Sequence, residues 1–237
     1  MNLSLIIFDM DGTLVNTEMH YREVNHRLFA ELGFTLPEAE HDAFVGTTAQ
    51  HMWSTLKSRY HLNESVETLM AQEEQAHLKQ FQHVELSPIA GVEEWLKTIQ
   101  QQSIPVAIGS SSSPLMIEQV LQQAGLTPYF EHCFSGHNVE KGKPAPDLFL
   151  AVAKFFKVAP EHCLVIEDSA HGVTAAKAAG MTCWAYKNPH SGAQDLSQAD
   201  FVFSDYANAR KKALHFLSKY AAVKSPELLA QTGKPTE

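Results

Sequence analysis

The stretch SLIIFDMDGTLV, residues 4–15, carries the clearest indication of the fold in this 237-residue chain. Residues 4–8 form a short, mainly apolar run, which is followed directly by Asp9, Asp11 and Gly12. A short apolar run that ends at turn-forming residues predicts a buried β-strand. We therefore expect a first strand whose carboxyl end presents Asp9 to a loop.

Beyond residue 91 the sequence alternates between helical and strand patterns. Segments with helical spacing begin near Gly91, Pro114, Asp147 and Ser169. They are interleaved with the apolar segments PVAIGS, HCFSG, CLVIED, MTCWAY and DFVF. Strands that alternate with helices predict a parallel sheet covered on both faces. The expected fold class is therefore α/β.

A block with helical periodicity and almost no strand pattern separates the first strand from the rest. It contains EMHYREVNHRLFAELG, TAQHMWSTLKSRY and ESVETLMAQEEQAHLKQF. Apolar residues at helical spacing are typical of amphipathic helices. We predict a sheet core of residues 1–15 and 87–222, an inserted all-helical cap of residues 16–86, and a flexible tail of residues 223–237.

Several polar residues stand at or just beyond the predicted carboxyl ends of the strands, where open parallel sheets bind ligands. The set comprises Asp9, Asp11, Ser110, Lys143, Glu167 and Asp168. Its four carboxylates would repel one another if they were buried together without a cation. An all-oxygen site of this kind suits Mg²⁺, which is therefore the expected cofactor.

This residue set can carry out phosphoryl transfer. A carboxylate can attack phosphorus and divide hydrolysis into two easier steps through an aspartyl-phosphate. A second carboxyl, kept protonated by its like-charged neighbours, can protonate the leaving oxygen and then deprotonate a water molecule. Ser110 and Lys143 can hold the other phosphate oxygens, and Ser111 is a further candidate for phosphate binding. The sequence thus predicts a phosphatase.

The composition narrows the choice of partners. The formal charge is −9, from 18 basic and 27 acidic residues. Non-specific binding to nucleic acid or anionic membrane needs a basic surface, so neither partner is expected. No apolar run approaches the roughly 18 residues that cross a bilayer. The three widely spaced cysteines suit buried thiols in a reducing cytosol. We expect a cytoplasmic monomer that acts on a small phosphorylated metabolite.

Four segments together resemble the motifs of the haloacid dehalogenase-like hydrolases. FDMDGTLVNTE, IGS, KGKPAPD and IEDSAHGVTAAKAAGM are similar to the first to fourth motifs of that family and occur in the same order. The resemblance implies a Rossmann-like core with a helical cap inserted after the first motif. It also implies that Asp9 is the nucleophile and that Asp11 is the acid/base, with its backbone carbonyl on the metal. Asp168 would bind Mg²⁺ directly, and Glu167 directly or through water.

Within that family the chain is most similar to the β-phosphoglucomutase-like group, which contains mutases and phosphatases. The dehalogenases of the superfamily lack the second aspartate, so the presence of Asp11 favours phosphate esters. The mutases carry a cap arginine where this chain has Ala49, and a histidine where it has Tyr21. Both departures favour a phosphatase that releases phosphate to water. A phosphosugar mutase remains the alternative enzyme.

The cap supplies candidate substrate contacts. The residues expected to face the crevice are Glu18, Tyr21, Thr47, Thr48 and His51. Their polar groups suit a sugar or polyol phosphate. Near the core motifs, His137 and His171 are possible further ligand contacts, and Ser112 and Ser113 are expected to form a flexible turn or the N-cap of the following helix.

Two other classes of function use similar residues. A receiver-type signalling module also combines an aspartate, Mg²⁺, a hydroxyl and a lysine, but such modules are about half this length and have no cap. A catalytically silent binding protein is disfavoured because every catalytic position is filled. Turnover of p-nitrophenyl phosphate would separate both classes from the enzyme.

Overall fold

The computed structural model describes residues 3–212. Its strands are β1 (Leu5–Phe8), β2 (Val106–Ser110), β3 (Cys133–Ser135), β4 (Cys163–Glu167), β5 (Thr182–Tyr186) and β6 (Phe201–Phe203). Its helices are α1 (Glu18–Glu31), α2 (Glu38–Asp42), α3 (Ala49–Tyr60), α4 (Val66–Phe81), α5 (Val92–Gln101), α6 (Pro114–Gln123), α7 (Asp147–Phe156) and α8 (Ala170–Ala178). Residues 206–212 are also helical.

The strands form one parallel sheet in the order β3-β2-β1-β4-β5-β6. Strand β1 lies near the centre, with Ile7 opposite Ala107 on one side and Val165 on the other. Because the strands run in the same direction, their carboxyl ends share one edge of the sheet. The α/β class with a parallel sheet is confirmed, and this edge is where the candidate site is built.

Both faces of the sheet are covered by helices. Phe8 of β1 packs edge-to-face on Trp95 of α5, with ring centroids 5.5 Å apart. The next residue back, Ile7, belongs to a second core on the opposite face together with Phe149 of α7. Successive side chains of a strand point to opposite faces, so a strand buried on both sides is apolar throughout. This packing holds the end of β1, and hence Asp9, in a fixed position.

Helices α1 to α4 lie between β1 and β2 in the sequence, as expected for an all-helical insertion. They form a hydrophobic cluster of their own, which includes Phe29 of α1, Trp53 of α3 and Leu69 of α4. A separate core is typical of a separate domain. The bounds of the cap domain, residues 16–86, remain a prediction. Helix α2 was not predicted, because five residues are too few to show a helical period.

The expectation that all three cysteines are buried is wrong for one of them. Cys163 and Cys183 are buried on the inner strands β4 and β5, whereas Cys133 is exposed. Cys133 opens β3, which is an edge strand of only three residues. One side of an edge strand has no neighbouring strand to cover it, so an apolar residue there can reach solvent.

The structure covers only part of the chain for which a flexible tail and the absence of a membrane-spanning segment were predicted. The predicted tail, residues 223–237, and the end of the predicted core, residues 213–222, lie outside the described residues. Within residues 3–212, none of the helices combines the length and apolar character required to cross a bilayer.

Candidate active site

A buried lysine links two strand ends of the sheet. Lys143, in the loop between β3 and α7, donates from Nζ to Oδ1 of Asp9 at 2.6 Å and to Oε1 of Glu167 at 2.7 Å. All three side chains are buried, and Lys143 keeps only 2% of its surface exposed. Burial lowers the pKa of Lys143, but the two carboxylates outweigh that effect and the net shift is upward. The lysine is therefore a fixed positive charge beneath Asp9.

The acidic end of β4 is tied to the start of α8. Oε2 of Glu167 accepts hydrogen bonds from the backbone N–H groups of Asp168 and Ser169, each at 2.8 Å, and from the Ser169 hydroxyl at 2.9 Å. Ser169 also caps α8, because its Oγ accepts from the backbone N–H of Gly172 at 3.0 Å. Glu167 thus stabilises the helix N-terminus while its other oxygen faces Lys143.

Asp168 is held by hydroxyl groups from two loops. Its Oδ1 accepts from Thr13 at 2.9 Å, and its Oδ2 accepts a short hydrogen bond from Ser191. Neither hydroxyl was identified from the sequence, since their loops are brought to β4 only by the tertiary fold.

The residues present fit a divalent cation. Asp9, Glu167 and Asp168 each offer a carboxylate oxygen, and these oxygens lie within 4.8 Å of one another. Burial raises the pKa of Asp9; Lys143 opposes this shift, and the neighbouring carboxylates add to it. Burial, followed by the charge of Glu167, also raises the pKa of Asp168. One ammonium group does not balance three buried acids, and a divalent ion with oxygen ligands would.

Asp11 is set apart from that cluster. Its Oδ1 accepts from Thr17 at 2.7 Å, and its Oδ2 accepts from Ser112 at 2.7 Å and from Ser110 at 3.3 Å. The carboxylate therefore has an orientation fixed by three hydroxyl groups. The predicted contact between its backbone carbonyl and a metal remains a prediction.

The three serines that follow β2 have different hydrogen-bonding roles. Ser113 is the N-cap of α6 and accepts from the backbone N–H of Met116 at 3.3 Å. Of the two expected possibilities for Ser112, a turn or the cap, the structure shows a bend before α6, and the Ser112 hydroxyl donates to Asp11. Ser111 donates to the backbone carbonyl of Gly46 at 2.9 Å, so it joins the core to the cap loop. Its predicted role in phosphate binding remains a prediction.

A cavity of about 420 Å³ lies between the sheet edge and the cap helices. Asp9 and Asp11 form part of its wall, so the proposed nucleophile and acid/base meet the same space. The predicted cap contacts that line it are Glu18, Tyr21, Thr47 and Thr48. Burial raises the pKa of Glu18 to about 8, with further contributions from the charges of Asp11 and Asp9.

The expectation that His51 faces the crevice is wrong. His51 is exposed on α3 and does not belong to the cavity wall. Its backbone N–H donates to the hydroxyl of Thr48, the N-cap of α3, at 3.3 Å. Of the two histidines near the core motifs, His137 lines the cavity, whereas Nδ1 of His171 is 3.2 Å from the carbonyl oxygen of Val45.

The polar residues on the inner wall of the cap were not predicted from the sequence. Asn25 of α1, together with Glu73 and His77 of α4, lines the cavity and is buried. Glu73 accepts from Nε1 of Trp53 at 2.7 Å. A signal did exist, because Tyr21 and Asn25, like Glu73 and His77, are spaced by four residues and so share one helix face. Polar residues on the inward face of an amphipathic helix are unusual and indicate a ligand site.

The Glu73→Gln substitution is expected to change how stability depends on pH. Burial raises the pKa of Glu73 from 4.5 to about 7, against hydrogen bonds from Trp53 and Asn25 that lower it. Between these values the folded state keeps a proton that the unfolded state has lost, so the wild type loses stability as pH rises. The variant has no such titration and should gain about 3 kcal/mol relative to wild type from about pH 4.5 to pH 8.

Urea unfolding of both proteins at about pH 5 and pH 8 measures this difference. All other titrating groups are the same in the two proteins, so their contributions cancel when the two unfolding free energies are compared at each pH. An equal difference in unfolding free energy at both pH values would contradict the assignment.

The Gly172→Ala substitution is expected to destabilise the protein, although alanine normally favours a helix over glycine by about 1 kcal/mol. A Cβ atom at residue 172 would overlap the Glu167 carboxylate. Overpacking of this kind costs about 1–3 kcal/mol and would move Glu167 away from Lys143. Denaturant unfolding and a phosphatase assay should both show a loss.

Gly180→Ala is the matched control. Gly180 has φ +75°, and among residues 3–212, apart from its two neighbours in the chain, no atom lies within 4 Å of the added Cβ. It should lose stability through backbone strain alone and keep its activity. A Gly172→Ala protein as stable and active as wild type would show that Glu167 is not packed as described.

Comparisons with known proteins agree with this geometry. The family model for haloacid dehalogenase-like hydrolases matches residues 6–186. A phosphorylated carbohydrates phosphatase of Thermotoga maritima is 30% identical over 179 residues, which cover 76% of this chain and 82% of that protein. Fructose-1-phosphate phosphatase YqaB of Escherichia coli is 30% identical over 181 residues, which cover 74% of this chain and 92% of that protein.

A solved structure extends the comparison to the fold. The crystal structure of β-phosphoglucomutase from Clostridium difficile superposes with a TM-score of 0.80 and covers 94% of this chain and 100% of the other. The two sequences are 18% identical, so this likeness supports the fold alone.

Proposed function

We propose that this chain acts on a sugar or polyol phosphate through an aspartyl-phosphate on Asp9. The chain belongs to the haloacid dehalogenase-like hydrolase family and is a phosphoric monoester hydrolase. The observation that carries the proposal is the buried cluster of Asp9, Lys143, Glu167 and Asp168 beside the cavity. The names of two relatives, which refer to phosphorylated carbohydrates and to fructose 1-phosphate, support the substrate class.

In the first step a carboxylate oxygen of Asp9 attacks the phosphorus and the bond to the leaving oxygen breaks. Lys143, hydrogen-bonded to Asp9 at 2.6 Å, favours the ionised form of the nucleophile. Ser110 and Lys143 are the proposed contacts for the other phosphate oxygens. Their charge and hydrogen bonds would stabilise the negative charge of the transition state.

Asp11 is proposed to move the protons in both steps. It lines the cavity beside Asp9, and three hydroxyl groups fix its orientation. It would give a proton to the leaving oxygen and then accept one from the water molecule that attacks the phosphorylated Asp9. The same carboxyl can serve twice because the first step leaves it in the basic form that the second requires.

The metal is proposed to be Mg²⁺, held by Asp9, Glu167 and Asp168, with a contribution from the Asp11 backbone. When bound, it would offset the repulsion between the carboxylates and the phosphate. The donor set of carboxylate oxygens suits this ion better than a softer metal.

A phosphosugar mutase is the alternative enzyme. A mutase must hold a second phosphate, which needs a cation in the cap. Among the described residues of the cavity wall there is no lysine or arginine. The wall carries Ala49 at the position that corresponds to the cap arginine of the mutases. Conversion of β-glucose 1-phosphate to glucose 6-phosphate at a useful rate would favour the mutase over the phosphatase.

The proposed function is tested by turnover of p-nitrophenyl phosphate in the presence and absence of Mg²⁺. We expect many turnovers with Mg²⁺, at least about a hundredfold loss after chelation with EDTA, and recovery when Mg²⁺ is restored. Stoichiometric phosphorylation without turnover would instead indicate a receiver-type module. No reaction at all would indicate a binding protein, and an equal rate in EDTA would contradict the metal.

A further inference from the structure

We propose that Asn25, Glu73 and His77 form the leaving-group site of this enzyme. The site presents hydrogen-bond acceptors, so it selects phosphomonoesters whose leaving group carries hydroxyl or ammonium donors and no second anionic group. This inference rests on the proposed function, to which it adds the residues and the rule of selection.

The three residues come from two packed helices. Asn25 lies one turn beyond Tyr21 on α1, and His77 lies one turn beyond Glu73 on α4. The helices are in contact, and the rings of Tyr21 and His77 have centroids 4.7 Å apart. All of these residues line the cavity that also holds Asp9. A leaving group attached to phosphate at Asp9 would therefore extend toward this pair of helix faces.

The polar atoms of the site are buried and incompletely satisfied. Asn25, Glu73 and His77 keep 4%, 6% and 6% of their surface exposed. Within the described part of the chain, Oδ1 of Asn25 and Nε2 of His77 have no hydrogen-bond partner. Buried polar atoms without partners are costly and rare in folded proteins. A ligand that supplies donors would remove this cost.

The chemistry of these atoms is that of acceptors. Burial lowers the pKa of His77 to about 3, against a hydrogen bond to the Tyr21 backbone that raises it, so the imidazole is neutral. A neutral imidazole that donates to a backbone carbonyl through one nitrogen offers the other nitrogen as an acceptor. Oδ1 of Asn25 is an acceptor, and the Glu73 carboxylate is already held in place by Trp53. Hydroxyl and ammonium groups provide the complementary donors.

The charge of the wall excludes a second anion. The wall carries Glu67 and Glu74, and also Glu18 and Glu73, whose pKa values burial raises to about 8 and about 7, so that they are partly protonated near neutral pH. None of its described wall residues is a lysine or arginine. Burial lowers the pKa of His41, another wall residue, to about 4, so it is neutral as well. A second phosphate or a carboxylate would meet acidic groups without a cation to pair with. The volume, about 420 Å³, is sufficient for a leaving group the size of a sugar.

The test compares three substrates on the Mg²⁺-loaded enzyme: glucitol 6-phosphate, fructose 1,6-bisphosphate and p-nitrophenyl phosphate. For the wild type we expect kcat/KM for glucitol 6-phosphate to exceed that for the bisphosphate by about tenfold or more. The Asn25→Leu and His77→Phe variants should each lose about tenfold or more on glucitol 6-phosphate. Their loss on p-nitrophenyl phosphate should be at least about threefold smaller, because the leaving group of that substrate has no donor for the site.

Gln75→Leu is the matched control. Like Asn25→Leu it replaces an amide side chain by leucine, but Gln75 is exposed on α4 and lies outside the cavity wall. It should leave all three kcat/KM values unchanged. Circular dichroism and thermal unfolding report whether each variant is folded. Unchanged kcat/KM for glucitol 6-phosphate in a folded variant, or an equal loss on both substrates in a folded variant, would overturn the inference.

The wild-type comparison does not depend on the folding of any variant. A wild type that prefers the bisphosphate would overturn the inference while leaving the phosphatase intact. A wild type that turns over none of the three substrates would refute the proposed function, and this inference with it.

Discussion

The Asp9→Asn variant is expected to lose phosphatase activity by a factor on the order of 10⁴ or more. An amide cannot attack phosphorus, whereas its carbonyl oxygen can still accept the hydrogen bond that Lys143 gives to Asp9. The fold should therefore survive the substitution. Steady-state turnover of p-nitrophenyl phosphate measures the loss, and circular dichroism with thermal unfolding checks the fold.

A comparison with Asp11→Asn separates the two roles. That variant should lose activity by about 10²–10⁴-fold, because proton transfer is impaired while the nucleophile remains. A folded Asp9→Asn protein that kept a tenth of the wild-type rate would contradict the assignment of the nucleophile.

The Lys143→Met variant is expected to lose both stability and activity. Nζ of Lys143 lies 2.6 Å from Asp9 and 2.7 Å from Glu167, and the side chain has no access to solvent. Removing one partner of a buried ion pair typically costs about 3–5 kcal/mol, because the remaining charges are left without compensation. Urea unfolding in Mg²⁺-free buffer should show this loss, and the phosphatase rate should fall by at least about a hundredfold.

Lys141→Met is the matched control, since Lys141 is exposed on the same loop. It should remain close to wild type in both assays. A Lys143→Met protein of wild-type stability would mean that the acids at the ends of β1 and β4 do not depend on this lysine.

The sheet and the edge that carries the candidate site could be predicted because they are encoded locally. Apolar runs such as residues 4–8 mark the strands, and in a parallel sheet each strand end must reach the same edge. Asp9, Ser110 and Glu167 therefore meet as expected, although they are far apart in the sequence. Asp168 follows β4 directly, and Lys143 joins them from the loop between β3 and α7.

The cap could be predicted only as a set of helices. Whether a polar cap residue faces the cavity depends on how α1, α3 and α4 are rotated and packed, which the sequence does not state directly. Thr48 was expected to face the cavity and does, while His51, one helical turn later, is exposed. Conversely, Asn25 and His77 meet the same cavity only because α1 packs on α4.

The loop residues that orient the acids were missed for a similar reason. Thr13 and Ser191 both donate to Asp168, but their loops come together only in the folded chain. Ser112 could be assigned equally well to a helix cap, and its hydrogen bond to Asp11 depends on the position of β1 beside β2. Short-range rules favour the cap, and tertiary contacts decide otherwise.

Asp9 is proposed to carry the phosphoryl group during turnover, and this intermediate can be trapped. The Asp11→Asn variant, in which release to water should be slow, is mixed with Mg²⁺ and p-nitrophenyl phosphate bearing a radiolabelled phosphate, then quenched in acid and digested. We expect a hydroxylamine-sensitive label on the peptide that contains Asp9. Turnover without any label, or a label on a peptide that lacks Asp9, would contradict it.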